Sequence, residues 1–396
     1  MTPSARVQAA IELLDQTIEG AKSVGAPADR LIAAYFKQRR YAGSKDRRAV
    51  RELVYRAIRE CSEVPTTGRT AMLALAESDP AIAELFDSSA HGPPRIGKHE
   101  KPAKHGVAPQ WLVEALDKSG VSAEEQAAML GRAPLDCRVN TLKAERDLLE
   151  LPVAGEHLAA PAGLRFEAGT QVEQWEAYRS GQIEVQDHGS QLACLAAAAQ
   201  PGETVIDLCA GAGGKTIALA AAMQNTGELI ACDTDARRLG LLGPRSERAG
   251  LTNTTRRVLN PKAEMEALSD LRQRADLVLV DAPCSGTGTW RRKPEAKWRL
   301  TPKRLERFAD LQDHVLDIAV ECTKPGGRIA FITCSLLDAE GADRVEAFLE
   351  RHPSWTAEQA ELPLGRPHGS RNAKGMRLTP FHDGTDGFFI AILRSA

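Results

Sequence analysis

Apolar residues in the first part of the chain recur at helical spacing. Val7, Ile11, Leu14 and Ile18 form one stripe. The pattern predicts a second helix starting near Pro27-Ala28-Asp29 and carrying Leu31, Ile32 and Tyr35. A third is predicted with Ser44 as its cap, Val50, Leu53, Val54, Ala57 and Ile58 on one side, and arginines on the other. Thr67 to Phe86 leaves room for one or two more short helices. Residues 1–86 therefore read as an all-α domain. Ser88-Ser89-Ala90-His91-Gly92-Pro93-Pro94 breaks the pattern, and 87–107 reads as a linker. Residues 108–200 read as a small α+β region, with helices at 109–118 and 122–131 and strands at 135–141 and 182–187.

From residue 201 the period changes. Four short, nearly continuous apolar runs, at 204–209, 228–233, 275–281 and 327–333, alternate with helical stretches, the last from about Asp338. Such runs predict a parallel sheet covered by helices on both faces. Gly375 to Leu393 reads as two strands joined through Asp383-Gly384 and Thr385-Asp386-Gly387, an antiparallel hairpin closing the sheet. The expected class is α/β, with a Rossmann-like sheet over 201–396.

Composition adds limits. The chain has 396 residues, 43% hydrophobic and 26% charged, which suits two or three globular domains and excludes general disorder. No window approaches the ~18 uncharged apolar residues of a membrane span. Met1 to Arg6 lacks a basic stretch leading into an apolar one, so no secretory signal is expected. The eight cysteines include no Cys-x-x-Cys pair, which argues against structural zinc, another metal site or a disulfide scaffold. A reducing cytoplasm is the expected home. The net charge of −2 hides local bias: Lys37 to Glu60 holds nine Lys/Arg against three Asp/Glu, and Arg291 to Arg307 eight against two. Such patches either contact phosphates or form solvated helix faces.

The first run ends in Asp207-Leu-Cys-Ala-Gly211-Ala-Gly213-Gly214-Lys215-Thr216, where glycines permit a tight turn and a helix N-terminus presents free N–H groups. Asp233 ends the next run, where a carboxylate suits a ribose diol. Three readings compete. A phosphate-binding P-loop would need glycine at Cys209. A dinucleotide fold would need Gly-x-Gly-x-x-Gly, which this spacing does not supply. An S-adenosylmethionine site uses a glycine loop and an acid of this kind.

Two cysteines follow predicted strands at the same sheet edge: Asp281-Ala-Pro283-Cys284-Ser-Gly-Thr-Gly288 and Ile332-Thr333-Cys334-Ser335. Cys61, Cys137, Cys194, Cys232 and Cys322 read as buried small hydrophobes. With Arg291-Arg-Lys-Pro-Glu-Ala-Lys297-Trp298, Arg138-Val-Asn140-Thr-Leu-Lys143, Gln186-Asp-His-Gly-Ser-Gln-Leu192 and Asp386-Gly-Phe-Phe-Ile390, these motifs resemble the RNA cytosine-5 methyltransferases. Arg40 to Arg48 and Arg51 to Arg59 resemble NusB-type RNA-binding helices. That pairing is similar to the RsmB/Sun type, which acts on 16S rRNA.

The resemblance implies a class I methyltransferase sheet and S-adenosyl-L-methionine as cofactor. It implies Cys334 as the nucleophile on carbon 6 of cytosine, Cys284 as the residue that assists release, Asp281 against the cytosine edge, and Lys215 at the cofactor carboxylate or base. The cofactor contacts it implies are Cys209, Ala210, Gly211, Ala212, Gly213, Gly214, Lys215, Asp233, Asn260 and Asp281. Expected RNA contacts are Arg39, Arg40, Arg47, Arg48, Arg138, Asn140, Arg291, Arg292, Lys293, Lys297 and Arg299. No membrane partner and a monomer are expected.

Two positions depart from the family pattern. The glycine loop lacks the usual proline, and Asn260 stands where the family commonly has Asp. An amide oxygen still accepts a hydrogen bond. A tRNA substrate would use the same catalytic half. A DNA cytosine methyltransferase would not explain the second cysteine. A non-catalytic ribosome-assembly factor would have no reason to keep both cysteines, Asp281 and Lys215.

Overall fold

The computed structural model describes residues 1–23 and 25–396. Its internal contacts divide the chain into two units: Met1–Gly131 with Thr289–Thr301, and Arg132–Gly288 with Pro302–Ala396.

The first unit is helical, built from Pro3–Lys22, Ala28–Gln38, Ser44–Glu60, Gly68–Ser78, Pro80–Ala83, Gln110–Lys118 and Ala123–Ala128. The Val7, Ile11, Leu14 and Ile18 stripe is buried with Val50, Val54, Ile58 and Met72. Ser44 is not the cap it was expected to be. It is the first helical residue after Gly43, and Asp46 reaches back to accept from the Gly43 N–H at 3.3 Å.

Residues 87–107 carry little regular structure, yet they are tied down. Ser4 donates to Asp87 (2.6 Å), Arg69 grips Glu100 (2.8 Å), and the Ala103 and Ser62 amides pair with Thr70 and Lys104 carbonyls (both 2.9 Å). The helices expected in an α+β subdomain at 108–131 group with this unit instead. So does the 289–301 segment, whose Trp298 joins the helical core.

The second unit holds two sheets. The smaller is antiparallel, with strands β1 (Leu135–Val139), β2 (Glu156–His157), β3 (Gly163–Phe166) and β4 (Ile183–Val185) in the order β2-β3-β1-β4. The larger contains β5 (Thr204–Asp207), β6 (Glu228–Asp233), β7 (Thr254–Val258), β8 (Ala275–Asp281), β9 (Thr323–Thr333), β10 (Trp355–Glu358), β11 (Arg366–His368), β12 (Gly375–Leu378) and β13 (Phe388–Ser395). Its order is β11-β12-β13-β9-β8-β5-β6-β7, with β10 also on β13. Strands β9, β8, β5, β6 and β7 run parallel, and β13 closes the sheet antiparallel to β9.

Helices His188–Ala197 and Gly214–Ala222 bury Leu192, Ala193 and Leu219 on one face. Pro302–Cys322 and Ala342–Arg351 bury Leu316, Val345 and Phe348 on the other. Each fully buried large side chain of this kind stabilises by roughly 1.5–3 kcal/mol. Burial on both faces explains why the central strands read as unbroken apolar runs. Among the described residues no helix is long and apolar enough to cross a membrane. The parallel register aligns the carboxyl ends of β5, β6, β8 and β9, so Asp207, Asp233, Asp281 and Thr333 share one edge. Ligands of open α/β sheets bind along such an edge.

Candidate functional site

The chain leaves β5 through Leu208 to Gly213 and enters helix Gly214–Ala222. Gly213 is the N-cap at φ +82°, and a Cβ there would lie 2.2 Å from Leu242 Cδ1. Only glycine fits that turn. The loop is anchored by the Ala210 N–H to the Cys232 carbonyl (2.8 Å) and by Arg245 to the Ala212 carbonyl (2.6 Å). Asp233 accepts from the Gly211 N–H and the Asp235 N–H, each at 2.7 Å, so its carboxylate shapes the loop.

At the base of the loop lies Asp207, fully buried, and sequence reasoning did not place it among the site residues. One oxygen accepts from Thr216 Oγ1 at 2.6 Å, and the other, Oδ1, has no protein partner. Burial pushes its pKa up to about 7, against the Thr216 hydrogen bond. Its position as the last residue of β5, ahead of a glycine loop, was the available signal. Asn260 is exposed just past β7, whose Val258 pairs with Asp233. Cys209 is half-buried, and burial, with Asp207 and Asp281, drives its thiol pKa well up.

Lys215 and Asp281 form an ion pair at 2.6 Å, bringing the first turn of the helix to the end of β8. Burial opposes the Lys215 charge, but Asp281 and the Cys194 and Cys334 thiols outweigh it, so the ammonium is held more tightly than in free lysine. The Phe388 ring lies 5.8 Å from Nζ.

The two cysteines, 50 residues apart in sequence, converge to a Sγ–Sγ distance of 3.4 Å. Their hydrogen bond is the largest cause, ahead of burial, of a Cys284 pKa well above the usual thiol value. The Cys284 loop is pinned at its far end by Gly288. Its N–H donates to the Cys334 carbonyl (3.0 Å) and its carbonyl accepts from Gly387 (2.8 Å). A Cβ on Gly288 would sit 2.2 Å from the Gly387 carbonyl oxygen, so this close approach requires glycine. The other five expected structural cysteines, Cys61, Cys137, Cys194, Cys232 and Cys322, are buried. Among the described residues no group of three or more His, Cys, Asp or Glu could hold a metal.

The expected RNA contacts divide. Arg40, Arg47, Arg48 and Lys293 are exposed, and Arg292 is half-buried. Arg39 stacks on Tyr35, with its guanidinium 3.6 Å from the ring. Four others, Arg138, Asn140, Arg291 and Lys297, face inward, which corrects the RNA contact expected of them. Arg138 is buried and donates to Gln186 (2.7 Å). Asn140 is fully buried, donating to the Gly181 and Ala249 carbonyls (3.0 and 2.8 Å). Lys297 is fully buried, donating to the Val107 carbonyl (2.8 Å), and Arg291 is 9% exposed. Arg299 is half-buried and caps the Gly25 and Ala26 carbonyls (2.8 and 2.7 Å). A charged head group buried against interior acceptors is held away from a phosphate at the surface.

The model of the family 16S rRNA methyltransferase RsmB/F matches residues 194–394. The chain is 34% identical to a probable ribosomal RNA small subunit methyltransferase B of Synechocystis, over 73% of this chain and 67% of the relative. It is 30% identical to a probable ribosomal RNA small subunit methyltransferase B of Bacillus subtilis, over 72% of this chain and 66% of that one. The match thus spans about two thirds of these relatives' length. Among solved structures, PH0851 aligns with a TM-score of 0.75 at 25% identity, covering 99% of each chain. A methyltransferase homolog from Pyrococcus horikoshii aligns at 0.60 and 26%, covering 72% of this chain and 99% of that one.

Proposed function

Because the chain belongs to the RsmB/F family of 16S rRNA methyltransferases, we propose that it methylates carbon 5 of a cytosine in 16S rRNA, with S-adenosylmethionine as methyl donor. The single observation that carries the chemistry is the pair of thiols at 3.4 Å, on the sheet edge shared with the Lys215–Asp281 ion pair.

The residues present fit the cofactor. Asp207 Oδ1 is a buried acceptor with no protein partner, and the cofactor's amino group is a donor of the matching charge. A Cβ on Gly214 would meet nothing within 4 Å, so a side chain there would fill the open space beside the N–H groups of the first helical turn. Asp233, ending β6, stands where a ribose hydroxyl would be accepted, and Lys215 would meet the carboxylate or the base. When bound, S-adenosylmethionine supplies an electrophilic methyl group.

Carbon 5 of cytosine is a poor nucleophile, and the chain's residues must change that. Cys334 Sγ adds to carbon 6, which places electron density on carbon 5. Asp281 accepts from the exocyclic amine and holds the base edge. After methyl transfer the carbon 5 proton must leave and the carbon–sulfur bond must break. Cys334 reacts as its thiolate. Cys284, once its own thiol proton has passed to solvent, takes the carbon 5 proton, and Cys334 departs as thiolate, so one proton is released for each methyl group transferred. The hydrogen bond with Cys334 is what most strongly keeps Cys284 protonated. Bonding of Cys334 to the base withdraws that hydrogen bond, the largest cause of the raised Cys284 pKa, and so eases loss of the Cys284 proton at the stage that needs a base. The target must be splayed out of the RNA to reach the pair.

Replacing each cysteine tests the assignment. Cys334→Ala should give neither turnover nor adduct. Cys284→Ala should accumulate a covalent RNA–protein complex on a denaturing gel, because addition proceeds and release stalls. Turnover by Cys284→Ala at the wild-type rate without adduct would overturn the roles.

A further inference from the structure

Glu340 lies on the short 3-10 turn Asp338–Glu340, just after the Thr333-Cys334-Ser335 segment, and it is fully buried. A buried carboxylate is costly unless donors surround it. Its donors come from the two cysteine loops. The carboxylate accepts from the Ser285 N–H (2.7 Å), from the Ser285 hydroxyl and from Gln312 Nε2 (3.4 Å). Ser335 Oγ lies 3.4 Å from Ser285 Oγ, the hydroxyl that donates to the carboxylate. The Glu340 carbonyl accepts from Thr333 Oγ1 at 3.0 Å. Gln312 also donates to the Pro283 carbonyl at 2.9 Å. Thr287 and Ser335 hydroxyls meet at 3.0 Å and close the ring.

The residue on each side of each cysteine is therefore held. Pro283 is fixed through Gln312 and Ser285 by Glu340. Thr333 is fixed by the Glu340 carbonyl, and Ser335 meets the Ser285 hydroxyl that the carboxylate holds. Neither cysteine side chain is itself in this ring of bonds.

We propose that Glu340 is a positioning residue that clamps the Cys284 and Cys334 loops together and so sets the separation of the two thiols. This inference rests on the proposed two-cysteine function. A local structural tie would stabilise the turn and leave the thiol geometry to the sheet. A clamp makes the geometry itself depend on Glu340.

The test reads thiol geometry without RNA or cofactor. Dibromobimane fluoresces when it bridges two neighbouring thiols, and peptide mass mapping identifies the bridged pair. The full-length wild type should give a Cys284–Cys334 bridge. In Glu340→Ala, bridging should slow about tenfold, and kcat should fall about 10- to 100-fold with KM for RNA and S-adenosylmethionine within about twofold, the pattern of misplaced reacting groups. Glu340→Gln and Ser285→Ala, which keep most of the packing, should slow bridging less, and their effects on kcat should be non-additive. These two variants decide the matter if Glu340→Ala does not fold. Bridging at the wild-type rate in both overturns the proposal, as does a kcat within about twofold of wild type in Glu340→Ala. If the wild type transfers no methyl group, the proposed function falls while the bridging comparison still decides the clamp.

Discussion

Asp207 holds a buried carboxylate with one oxygen on Thr216 and the other without a protein partner. Burial pushes its pKa up to about 7 from an ordinary 3.8. The folded chain therefore binds this proton more tightly than the unfolded chain. The resulting stability is present below about pH 4 and is lost as pH rises towards 7. Asp207→Asn removes the penalty and keeps an acceptor for Thr216. The variant without cofactor should melt above the wild type at about pH 8, with the gap shrinking as pH falls towards 4. The same change puts an amide where the cofactor's cation would be received. A hydrogen bond to a charged group contributes about 1.5–3 kcal/mol, so S-adenosylmethionine affinity should fall about 10- to 100-fold. Thermal melts across pH and calorimetric titration check the two halves separately, and unchanged affinity would remove Asp207 from the cofactor site.

At the scale of elements, the segment 289–301 combines two buried tryptophans, Trp290 and Trp298, with a buried lysine. Burial pushes the Lys297 pKa down to about 7 from 10.5. The unfolded chain holds this proton more tightly, so the folding penalty is full below pH 7 and fades as pH rises to 10.5. Lys297→Met keeps the volume, drops the charge and leaves the Val107 carbonyl without its donor. Losing that bond costs about 1–3 kcal/mol, against a charge penalty on the order of a few kcal/mol. The variant should thus melt above the wild type at about pH 6 and lose that advantage by about pH 10. A constant difference would mean that the ammonium stays charged in the fold. The inward turn of this segment shows where the sequence misleads. A charge count treats every Lys and Arg as solvent-facing, and the two tryptophans were the available counter-signal. Strands β5, β6, β8 and β9 were legible because burial on both faces makes a strand continuously apolar. Both cysteines stood out because polar residues follow those strands abruptly. Strand β7, Thr-Thr-Arg-Arg-Val at the sheet edge, has no apolar run and was not legible, and the same holds for β10 and β11. The composition of 87–107, which reads as a linker, carries no record of Asp87 and Glu100 tying the segment down.

For the molecule as a whole, a net charge of −2 gives no general attraction to RNA, so affinity must come from local patches. With Arg138, Asn140, Arg291 and Lys297 turned inward, the exposed candidates on the helical unit are Arg40, Arg47, Arg48 and Lys293. If Arg47 and Arg48 each neutralise a phosphate, Arg47→Glu with Arg48→Glu should lower the slope of log affinity against log salt by about 2. It should do so for any RNA sequence and leave cofactor affinity unchanged. An unaltered slope would make these arginines a solvated helix face. Which RNA is methylated is a separate matter, because the proposed two-cysteine chemistry acts on a cytosine whatever molecule carries it. Bisulfite sequencing of total RNA from cells with and without the gene answers both at once, since 5-methylcytosine resists conversion. The expected result is loss of one protected cytosine in 16S rRNA. Loss in a tRNA instead would keep the two-cysteine chemistry and overturn the substrate. No lost cytosine, in cells where the protein is made, would leave an RNA-binding assembly factor on a methyltransferase fold as the better account, and wild-type protein would then form no adduct with rRNA in vitro.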